Sequence, residues 1–583
     1  MTALWRGLAG LALVVALAAA FQPGAPSVHA ETITVTSTAD GAPDGCDTNG
    51  CTLREAILDL GPAAGDTISF NIDGDGPHTI KPLTTLPAIA EATSVTIDGF
   101  TQPGASENTA GPWEPTNADI RIVLDGSEIP AGDPGGEFGL WVSAAGTTIK
   151  GLSIVNFADE GIKTGTFPSS VVIRGNYIGL MPDGVTAGPN GLGINLRSSQ
   201  SGNAIGGLNA ADRNVISANL GDGIWMNGST AIQVSGNYVG TDASGTVAVG
   251  NGGHGIHLSG AAGSVIGGST ATAANLVSAN GGSGVALTTT DAGNINVKGN
   301  RIGTAADGES PLGNEEHGIF LDQGAHDNTL GGEFNVNEQN IIAFNDKNGV
   351  ALTASAGINN YIDPSVTHSN GELGTDLLID GVTPNDADDT DTGPNSLMNY
   401  PTVVSAVYNG TALVVRGSMI GPPDGYNVFV FANEECDPSG YGEGKTFLGS
   451  IGVLINGPGP RAFSKTVQTF VPGDEMIITM SASDPESTSE FSLCHDVGIQ
   501  VSNVNCDNVT DEADAVLLLA HASGLDPEQP VACRTIGSSI LDRLVGDLDC
   551  DGSVGPADAL RVLLSEIGSD LAGLPAACPA LPA

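Results

Sequence analysis

A five-residue phrase that occurs three times determines how the middle of this 583-residue chain can fold. Gly-Asn-Tyr-Ile-Gly at 175–179 returns as Gly-Asn-Tyr-Val-Gly at 236–240 and as Gly-Asn-Arg-Ile-Gly at 299–303, so the spacings are 61 and 63 residues. Two other phrases keep the same spacing: Ile205-Gly206-Gly207, Ile266-Gly267-Gly268 and Leu330-Gly331-Gly332, and Ile216–Asn219, Val277–Asn280 and Ile342–Asn345. Repeats of this length indicate stacked units that form a solenoid with one long surface.

Each repeat contains about six short apolar segments, such as Val215-Ile216 and Ile232–Val234, separated by Gly, Asn and Ser. Six short strands amount to two three-stranded coils, which predicts a mainly β chain built on a right-handed parallel β-helix. Asn at the turns tolerates the left-handed conformation and can stack its amides from coil to coil. The alternative, a β-propeller, would need four longer alternating strands in each repeat.

The segment 1–30 has the pattern of a secretory signal: Arg6, an apolar run from Leu8 to Phe21, and Val28-His29-Ala30. This run is shorter than the stretch of about 20 residues that spans a bilayer, so we expect cleavage after Ala30 rather than a retained anchor. No later segment reaches spanning length. We therefore expect an extracellular or cell-surface protein with no transmembrane segment in the mature chain.

The charge of the chain restricts its partners. With 66 acidic and 19 basic residues, a net charge of −47 excludes nucleic acid and bare anionic membranes as expected partners. A polyanionic glycan would also be repelled unless calcium bridges it to the protein. The alternative interpretation is that the acidity only keeps the chain soluble.

The eight cysteines fall into local pairs, and an even number in an exported chain predicts disulfides. The expected pairs are Cys46–Cys51, Cys436–Cys494, Cys506–Cys533 and Cys550–Cys578. The last two have nearly equal separations inside a duplicated segment. None has the spacing with histidines that a zinc site needs.

A short helix is predicted to close the first coil. Thr52 and Glu55 form a capping box, and an apolar face follows it: Leu53, Ala56, Ile57 and Leu60. The stretch 51–57 closely resembles the CSLREA motif of bacterial exported β-helix proteins, with Thr52 at the usual serine. Ile-Asp-Gly-Phe-Thr-Gln-Pro-Gly at 97–104 and the repeated phrases are similar to the same family. The resemblance covers about 32–400 and implies fold and export but no settled activity.

Alternating strands follow the repeats, at 412–416, 428–432 and 477–480, and predict an immunoglobulin-like β-sandwich tied by Cys436 and Cys494. The segment is also similar to the sandwich that often follows such β-helices, notably at 442–449. We interpret it as a spacer.

The C-terminal segment carries two calcium-loop patterns. Oxygen ligands at positions 1, 3, 5 and 12, with a backbone carbonyl at 7, are typical of an EF-hand loop for Ca²⁺. One loop has Gly552 at position 6, and its copy starts 44 residues earlier with Asn508 at that position. The expected ligands are Asp547, Asp549, Asp551, Ser553 and Asp558, and Asn503, Asn505, Asp507, Val509 and Asp514. An apolar helix is predicted after each loop, at 513–520 and 557–564.

This duplicated unit resembles a dockerin module over about 501–570, with Asp at position 12 as in dockerins. The resemblance implies calcium-dependent folding and a cohesin-like partner. The helix starts, Glu512-Ala513 and Pro556-Ala557, depart from the Ser/Thr pair that dockerins use to select cohesins. The resemblance to dockerins therefore supports calcium-dependent folding of this segment more strongly than it supports cohesin binding. The alternative is a calcium-stabilised terminal domain with no partner.

A weaker calcium candidate is the acidic cluster where the repeats end: Asp386, Asp388, Asp389 and Asp391. These carboxylates could hold a cation at a domain junction or lie in a solvated linker. The expected domains are a signal peptide (1–30), an N-terminal cap with the first coils (31–110), the β-helix (111–398), the sandwich (399–499) and the dockerin-like module (500–583).

No catalytic residue can be assigned from the sequence. Gly253-His254-Gly255 resembles a polygalacturonase active-site motif, but the same turn reads Gly191-Leu192-Gly193 and Glu316-His317-Gly318 in neighbouring repeats, so we interpret it as a repeat turn. A lyase needs a basic residue that takes a proton beside bound calcium. The basic residues of the solenoid are scattered, with no convergent carboxylates beside them: Lys163, Arg174, Arg197, Arg213 and Lys298. No Ser/His/Asp or Cys/His set stands out.

The leading hypothesis is a secreted or cell-surface binding and scaffold protein associated with polysaccharide, with a calcium-dependent C-terminus. The alternative is a polysaccharide lyase or glycoside hydrolase acting through the β-helix face.

Overall fold

The computed structural model describes these residues: 30–41, 45–46, 50–61, 65–90, 94–165, 168–197, 201–332, 335–362, 364–387, 389–409, 411–473, 476–485, 487–499, 504, 512–525, 539–540, 543–544, 546–548 and 553–566. The predicted signal peptide lies almost entirely outside them.

Three long parallel sheets form the main body, and most coils of the chain contribute one strand to each sheet. Sheet 1 contains Thr32–Val35, Thr67–Phe70, Thr96–Asp98, Thr148–Lys150, Val172–Arg174, Ala204–Gly206, Gln233–Ser235, Val265–Gly267, Asn296–Lys298 and Thr329–Leu330. Sheet 2 contains His78–Ile80, Ile122–Asp125, Leu152–Val155, Tyr177–Ile178, Val215–Ile216, Tyr238–Val239, Leu276–Val277, Arg301–Ile302, Ile341–Ala343 and Val366–His368. Sheet 3 contains Leu140–Val142, Glu160–Thr164, Leu192–Arg197, Ile224–Asn227, Ile256–Ser259, Val285–Thr288, Ile319–Leu321, Val350–Leu352 and Thr375–Asp376.

Short 3₁₀ segments connect some of these strands: Gly99–Thr101, Gly126–Glu128, Ala210–Asp212, Val336–Glu338 and Pro394–Leu397.

The register of successive coils confirms the parallel β-helix and two coils in each repeat. Ile205, Val234 and Ile266 follow one another in sheet 1, and the span from Ile205 to Ile266 is one 61-residue repeat. All three are buried in a core that runs the length of the solenoid. Parallel pairing of successive coils excludes the propeller. The strands of the three sheets run from Thr32 to Asp376.

Two ladders of buried asparagines run along the turns, as the stacking of Asn predicts. Neighbouring amides donate to one another at 2.8–3.2 Å. The ladders are Asn176, Asn214, Asn237, Asn275, Asn300 and Asn340, and Asn190, Asn219, Asn251, Asn280, Asn314, Asn345 and Asn370. At several turns the left-handed residue is the one before the ladder Asn, such as Gly236 (φ 70°) and Ala279 (φ 61°). At other turns an Asn itself adopts this conformation, as the sequence predicts: Asn156, Asn294 and Asn359.

Helix α1, Leu53–Leu58, closes the N-terminal end of the core. Its capping box is present: Thr52 Oγ1 accepts from the Glu55 N–H at 3.2 Å, and Glu55 Oε2 accepts from the Thr52 N–H at 2.8 Å. The predicted apolar face is buried in the same core as Val35 and Ile68 of the first two coils. The helix therefore covers apolar side chains that the first coil would otherwise expose.

The sandwich has two four-stranded sheets. One contains Arg461–Val467, Leu413–Met419, Thr402–Tyr408 and Gly498–Ile499, and the other contains Thr446–Leu454, Gly425–Asn433, Ile477–Ser483 and His495–Asp496. The predicted disulfide Cys436–Cys494 is formed, as is Cys46–Cys51. The other two predicted pairs lie outside the described residues.

The sandwich covers the last coil, so its interpretation as only a spacer is wrong. Glu443 accepts from the backbone N–H groups of Ser369 and Asn370 at 2.6 and 3.0 Å, where the second asparagine ladder ends. Gly444 pairs with Thr367 at the end of sheet 2. These contacts satisfy backbone groups that a solenoid end would leave open.

A small helical unit ends the described chain. Helices α2, Glu512–Ala522, and α3, Pro556–Glu566, confirm the two predicted helices and share a core with Val504 and Leu548. A two-stranded ribbon, Ser539–Ile540 and Arg543–Leu544, lies between them in the chain. The mainly β fold class with a small α-helical unit is thus confirmed.

Candidate functional site

The outer side of sheet 2 is covered by the chain itself. The segment 108–118 packs there on Tyr238, and Arg213 donates to the carbonyls of Gly111, Pro112 and Glu114 at 2.5–2.9 Å. The Arg213 guanidinium also stacks on Tyr238 at 4.4 Å. A second apolar cluster forms beneath this segment, so sheet 2 has no open face along these coils.

Sheet 3 instead carries a continuous row of side chains that point away from the core. One position of each strand aligns with the same position in the next strand, and the alternate positions are core residues such as Ile224 and Leu258. The row, in order, is Trp141, Lys163, Asn195, Trp225, His257, Ala286, Phe320, Ala351 and Asp376. Because neighbouring strands lie about 4.8 Å apart, the row is a regular ladder of rings and polar groups.

Aromatic and imidazole rings stack along the centre of this row. The ring centroids of Trp225 and His257 are 6.2 Å apart, and those of His254 and His257 are 5.1 Å apart. Phe320 lies between His254 and His317, at 6.4 and 5.6 Å. Together these five rings cover four coils of sheet 3. We call them the ring ladder.

Several buried polar atoms around the ring ladder have no hydrogen-bond partner among the described protein atoms. They are Asn195 Oδ1, Trp225 Nε1, Ser283 Oγ, His317 Nδ1 and Asn348 Oδ1. All five belong to the outer side of sheet 3 or to the turn that enters it. A buried polar atom without a partner costs about 1–3 kcal/mol, so such a cluster points to an external hydrogen-bonding group.

Two imidazoles of the ring ladder, those of His254 and His317, have lowered pKa values. Burial lowers the pKa of His317 to about 4, with the nearby Lys347 acting in the same direction. Burial also lowers the pKa of His254, against the opposing charge of Asp222. Both imidazoles are therefore neutral at pH 7 and behave as aromatic surfaces that can also hydrogen bond.

One group on this face combines a carboxylate, an imidazole and a hydroxyl. His257 Nδ1 lies 2.9 Å from Asp222 Oδ2, and His257 Nε2 lies 3.0 Å from Thr288 Oγ1. This group is neither of the two sets, Ser/His/Asp and Cys/His, that were sought in the sequence. His254 and His317 do occupy equivalent turn positions, as the repeat register predicts, but the sequence did not single out His257. Because each repeat makes two coils, counting in half-repeats would have placed Asp222, His257 and Thr288 on successive coils.

Three of the basic residues named from the sequence each form an ion pair with one carboxylate. Arg174 pairs with Asp212 at 2.6 Å, Lys298 with Glu338 at 3.1 Å, and Lys163 with Glu160 at 3.9 Å. These ion pairs join neighbouring coils or positions on one strand. Arg213 is held by backbone carbonyls, as described above.

The helical unit contains part of the predicted calcium ligands. Asp514 and Asp558, at position 12 of the two loops, are both buried. Asp558 accepts from the N–H groups of Leu548 and Gly555 at 2.5 and 2.6 Å, so its carboxylate joins these two residues of the predicted loop. Asp547 is buried and Ser553 is exposed. The remaining predicted ligands lie outside the described residues: Asn503, Asn505, Asp507, Val509, Asp549 and Asp551.

The acidic cluster after the last coil closes a turn. Asp386 accepts from the N–H of Asp389, and Asp389 accepts from the Asn399 N–H at 3.0 Å. Burial raises the pKa of Asp389 to about 6, and the charges of Asp386 and Asp391 act in the same direction. Asp388 lies outside the described residues. Within the part of the chain that the structure describes, no three His, Cys, Asp or Glu side chains are grouped so that they could hold a metal ion.

Among the described residues, no helix is long and apolar enough to cross a membrane. Comparison with protein-family models and with curated proteins gives no match. Two solved structures are similar at low levels. The tailspike protein gp49 of Acinetobacter baumannii bacteriophage Fri1, a capsular polysaccharide depolymerase, has a TM-score of 0.23 and 9% identity over 80% of this chain and 82% of that one. Tailspike protein 2 of Escherichia coli O157:H7 bacteriophage CAB120 has a TM-score of 0.20 and 12% identity, over 74% and 59%. Similarity at this level supports no inference about activity.

Proposed function

We propose that this chain is an exported scaffold protein that binds polysaccharide along sheet 3. The observation that carries the proposal is the ring ladder with its surrounding unpartnered polar atoms. Sugars present apolar C–H faces and hydroxyl groups. Aromatic rings can stack on the C–H faces, and a few fixed polar atoms can hydrogen bond to the hydroxyl groups.

The regular spacing of the row favours a polymer over a small ligand. Each coil offers an equivalent position about 4.8 Å from the last, so a chain of repeating units can meet successive coils in the same way. His254 and His317 are neutral at pH 7, and the protein carries a net charge of −47. Both features favour a neutral glycan segment over a polyanion.

The binding proposal is tested by removing the rings. Trp225→Ala with Phe320→Ala should reduce retention of the full-length protein in affinity gels containing neutral polysaccharides by at least tenfold. The matched control is Leu208→Ala, which removes an apolar side chain that is 60% exposed and lies away from the ring ladder. Equal retention of the double variant and the control would contradict the proposal, as would no retention of the wild type on any of a broad set of polysaccharides.

The same experiment tests the alternative of a polysaccharide lyase or glycoside hydrolase. Either enzyme would release unsaturated or reducing ends from the retained polysaccharide. Acidic residues near the ring ladder already have partners: Glu160 contacts Asn195 at 2.8 Å, and Glu316 contacts Lys347 at 3.3 Å. We therefore expect binding without chain cleavage.

For the C-terminal unit we propose calcium-dependent folding and a cohesin-like partner. Asp514 and Asp558 are buried at equivalent positions, 44 residues apart, which supports two related loops. Exposed apolar side chains also recur with that spacing, Val516 with Leu560 and Leu519 with Leu563. Such duplicated apolar positions on two helices favour a protein partner.

A further inference from the structure

Asp222, His257 and Thr288 lie on three successive coils of sheet 3 and form one hydrogen-bonded chain. Asp222 precedes the strand Ile224–Asn227, His257 lies in the next strand, and Thr288 ends the third. An ionised carboxylate can only accept hydrogen bonds, so Asp222 holds the proton of His257 on Nδ1. Nε2 is then the acceptor for the Thr288 hydroxyl, 3.0 Å away.

Further hydrogen bonds hold the side chains of this hydrogen-bonded group in place. Asp222 Oδ1 also accepts from the His254 N–H at 2.8 Å, so both of its oxygens have defined partners. His254 Nδ1 accepts from the Ser283 N–H at 3.0 Å, which fixes the ring beside His257. Burial alone would raise the pKa of Asp222, but the hydrogen bonds from the His257 ring and from the His254 N–H outweigh it and hold that pKa below its ordinary value. Asp222 therefore stays ionised near neutral pH.

The site is near the surface but shielded from bulk water. The side chains of Asp222 and His257 are 16% and 19% exposed, and Thr288 is 8% exposed. Ala286 lies in register between His257 and Phe320, and it is fully buried. A substrate would therefore reach the site through the exposed fractions of His257 and Thr288.

We propose that Thr288 is the nucleophile of an ester-hydrolysing site, with His257 as general base and Asp222 as its positioning residue. The substrate class is an acyl ester on a glycan hydroxyl, and this choice of substrate rests on the proposed polysaccharide binding. Hydroxyl, imidazole and carboxylate in this order provide the chemistry of acyl transfer. Glycosidic cleavage instead needs two carboxylates that act directly on the sugar, whereas Asp222 is already bound to His257.

The reaction needs only water as a second reactant. Thr288 Oγ forms a bond to the ester carbonyl carbon while its proton passes to His257 Nε2. The ester C–O bond then breaks, and the glycan oxygen leaves as a hydroxyl with that proton. Water next adds to the acyl carbon, and its proton passes through His257 to Thr288 Oγ as the acyl–threonine bond breaks. The products are the free glycan hydroxyl and a carboxylic acid.

The test uses the full-length protein with p-nitrophenyl acetate and a fluorophosphonate probe, neither of which needs glycan binding. We expect hydrolysis of the acetate and a fluorophosphonate adduct on Thr288 by mass spectrometry. Thr288→Val, which is isosteric, should lower the rate at least a hundredfold and abolish the adduct, and Thr288→Ser should retain both. Asp222→Asn should also lower the rate at least tenfold while leaving the adduct site unchanged.

Matched controls lie elsewhere on the β-helix. Thr353→Val removes a hydroxyl that donates to Asp322 at 2.6 Å, and His326→Gln removes a histidine that contacts Asp327 at 2.6 Å. Both should keep the wild-type rate. No hydrolysis and no adduct in the wild type would overturn the proposal, and so would equal rates in Thr288→Val and the wild type with unchanged unfolding midpoints. Retention on polysaccharide is measured separately, so its loss would refute the binding proposal alone.

Discussion

Asn237 shows how a single residue type holds the coils of the β-helix together. Its Nδ2 donates to the carbonyls of Ile205 and Ser235 at 3.0 and 3.1 Å and to Asn275 Oδ1 at 3.0 Å. Its Oδ1 accepts from Asn214 Nδ2 at 2.9 Å. An amide is needed here because the site requires both a donor and an acceptor on a short, fully buried side chain.

Replacing this residue should destabilise the whole stack. Asn237→Ala leaves at least two buried partners unsatisfied, at about 1–3 kcal/mol each, so we expect a loss of about 3 kcal/mol in the free energy of unfolding. The measurement is denaturant unfolding followed by circular dichroism. Asn296→Ala, at a partly exposed position of sheet 1, should cost less than about 1 kcal/mol. Equal losses in the two variants would contradict the role of the ladder.

At the scale of elements, the C-terminal helical unit differs from the β-helix because we expect its stability to depend on bound calcium. Among the described residues, helices α2 and α3 share a core that includes Ala515, Leu518, Ala559 and Val562. Units of this length bury little apolar surface and commonly need a metal or disulfides for stability. Calcium is the ligand that the loop spacing predicts.

Removing two predicted ligands should remove the calcium effect. Asp547→Ala with Asp551→Ala should abolish the calcium-dependent heat stability of this unit and leave the β-helix transition unchanged. At calcium concentrations a hundred times Kd, the wild type should gain about 2.7 kcal/mol from binding. Scanning calorimetry with and without a chelator measures both transitions.

Glu435→Ala with Asp496→Ala is the charge-matched control, because both residues are exposed on the sandwich. It should keep the full calcium effect. A wild type whose transitions do not respond to calcium would refute the calcium proposal.

At the scale of the whole molecule, both ends of the β-helix are covered. Helix α1 covers the first coil, and the sandwich covers the last one through Glu443 and Glu490. Glu490 accepts from the N–H groups of Leu377 and Thr383 at 3.0 and 2.8 Å. Burial raises its pKa to about 7, which the hydrogen bonds to the charged form only partly oppose.

The raised pKa of Glu490 makes the junction pH-dependent. Below about pH 4.5 the carboxyl is protonated in both the folded and the unfolded chain. Between pH 4.5 and about 7 only the folded chain keeps the proton, so the free energy of unfolding falls as the pH rises. The change over this window is about 3 kcal/mol for Glu490. Glu443 and Asp389 act in the same direction, because the pKa of each is also raised.

Glu490→Gln should reduce this slope, because glutamine does not titrate. The measurement is the difference in unfolding free energy between pH 5 and pH 8, compared with the wild type. Glu434→Gln, at an exposed carboxylate paired with Lys445 at 2.6 Å, should not flatten the slope. A slope in Glu490→Gln as steep as in the wild type would contradict the assignment, whatever its absolute stability.

The sequence alone was sufficient for the features that depend on periodicity and local contacts. The repeat spacing predicted the β-helix and its two coils per repeat, and the Thr52–Glu55 spacing predicted the capping box, because both follow from neighbours a fixed number of residues apart. The two helices after the loops followed from the same kind of pattern.

Only the tertiary structure determined which side chains are in contact between coils and between domains. Asp222, His257 and Thr288 are 35 and 31 residues apart, and the hydrogen bonds depend on the strand register that brings them together. The contact of Glu490 with Leu377 spans 113 residues and joins two domains. The strand register places residues that are distant in the sequence about 4.8 Å apart on neighbouring coils. A prediction that misjudges the length of a coil by one residue would therefore pair the wrong side chains.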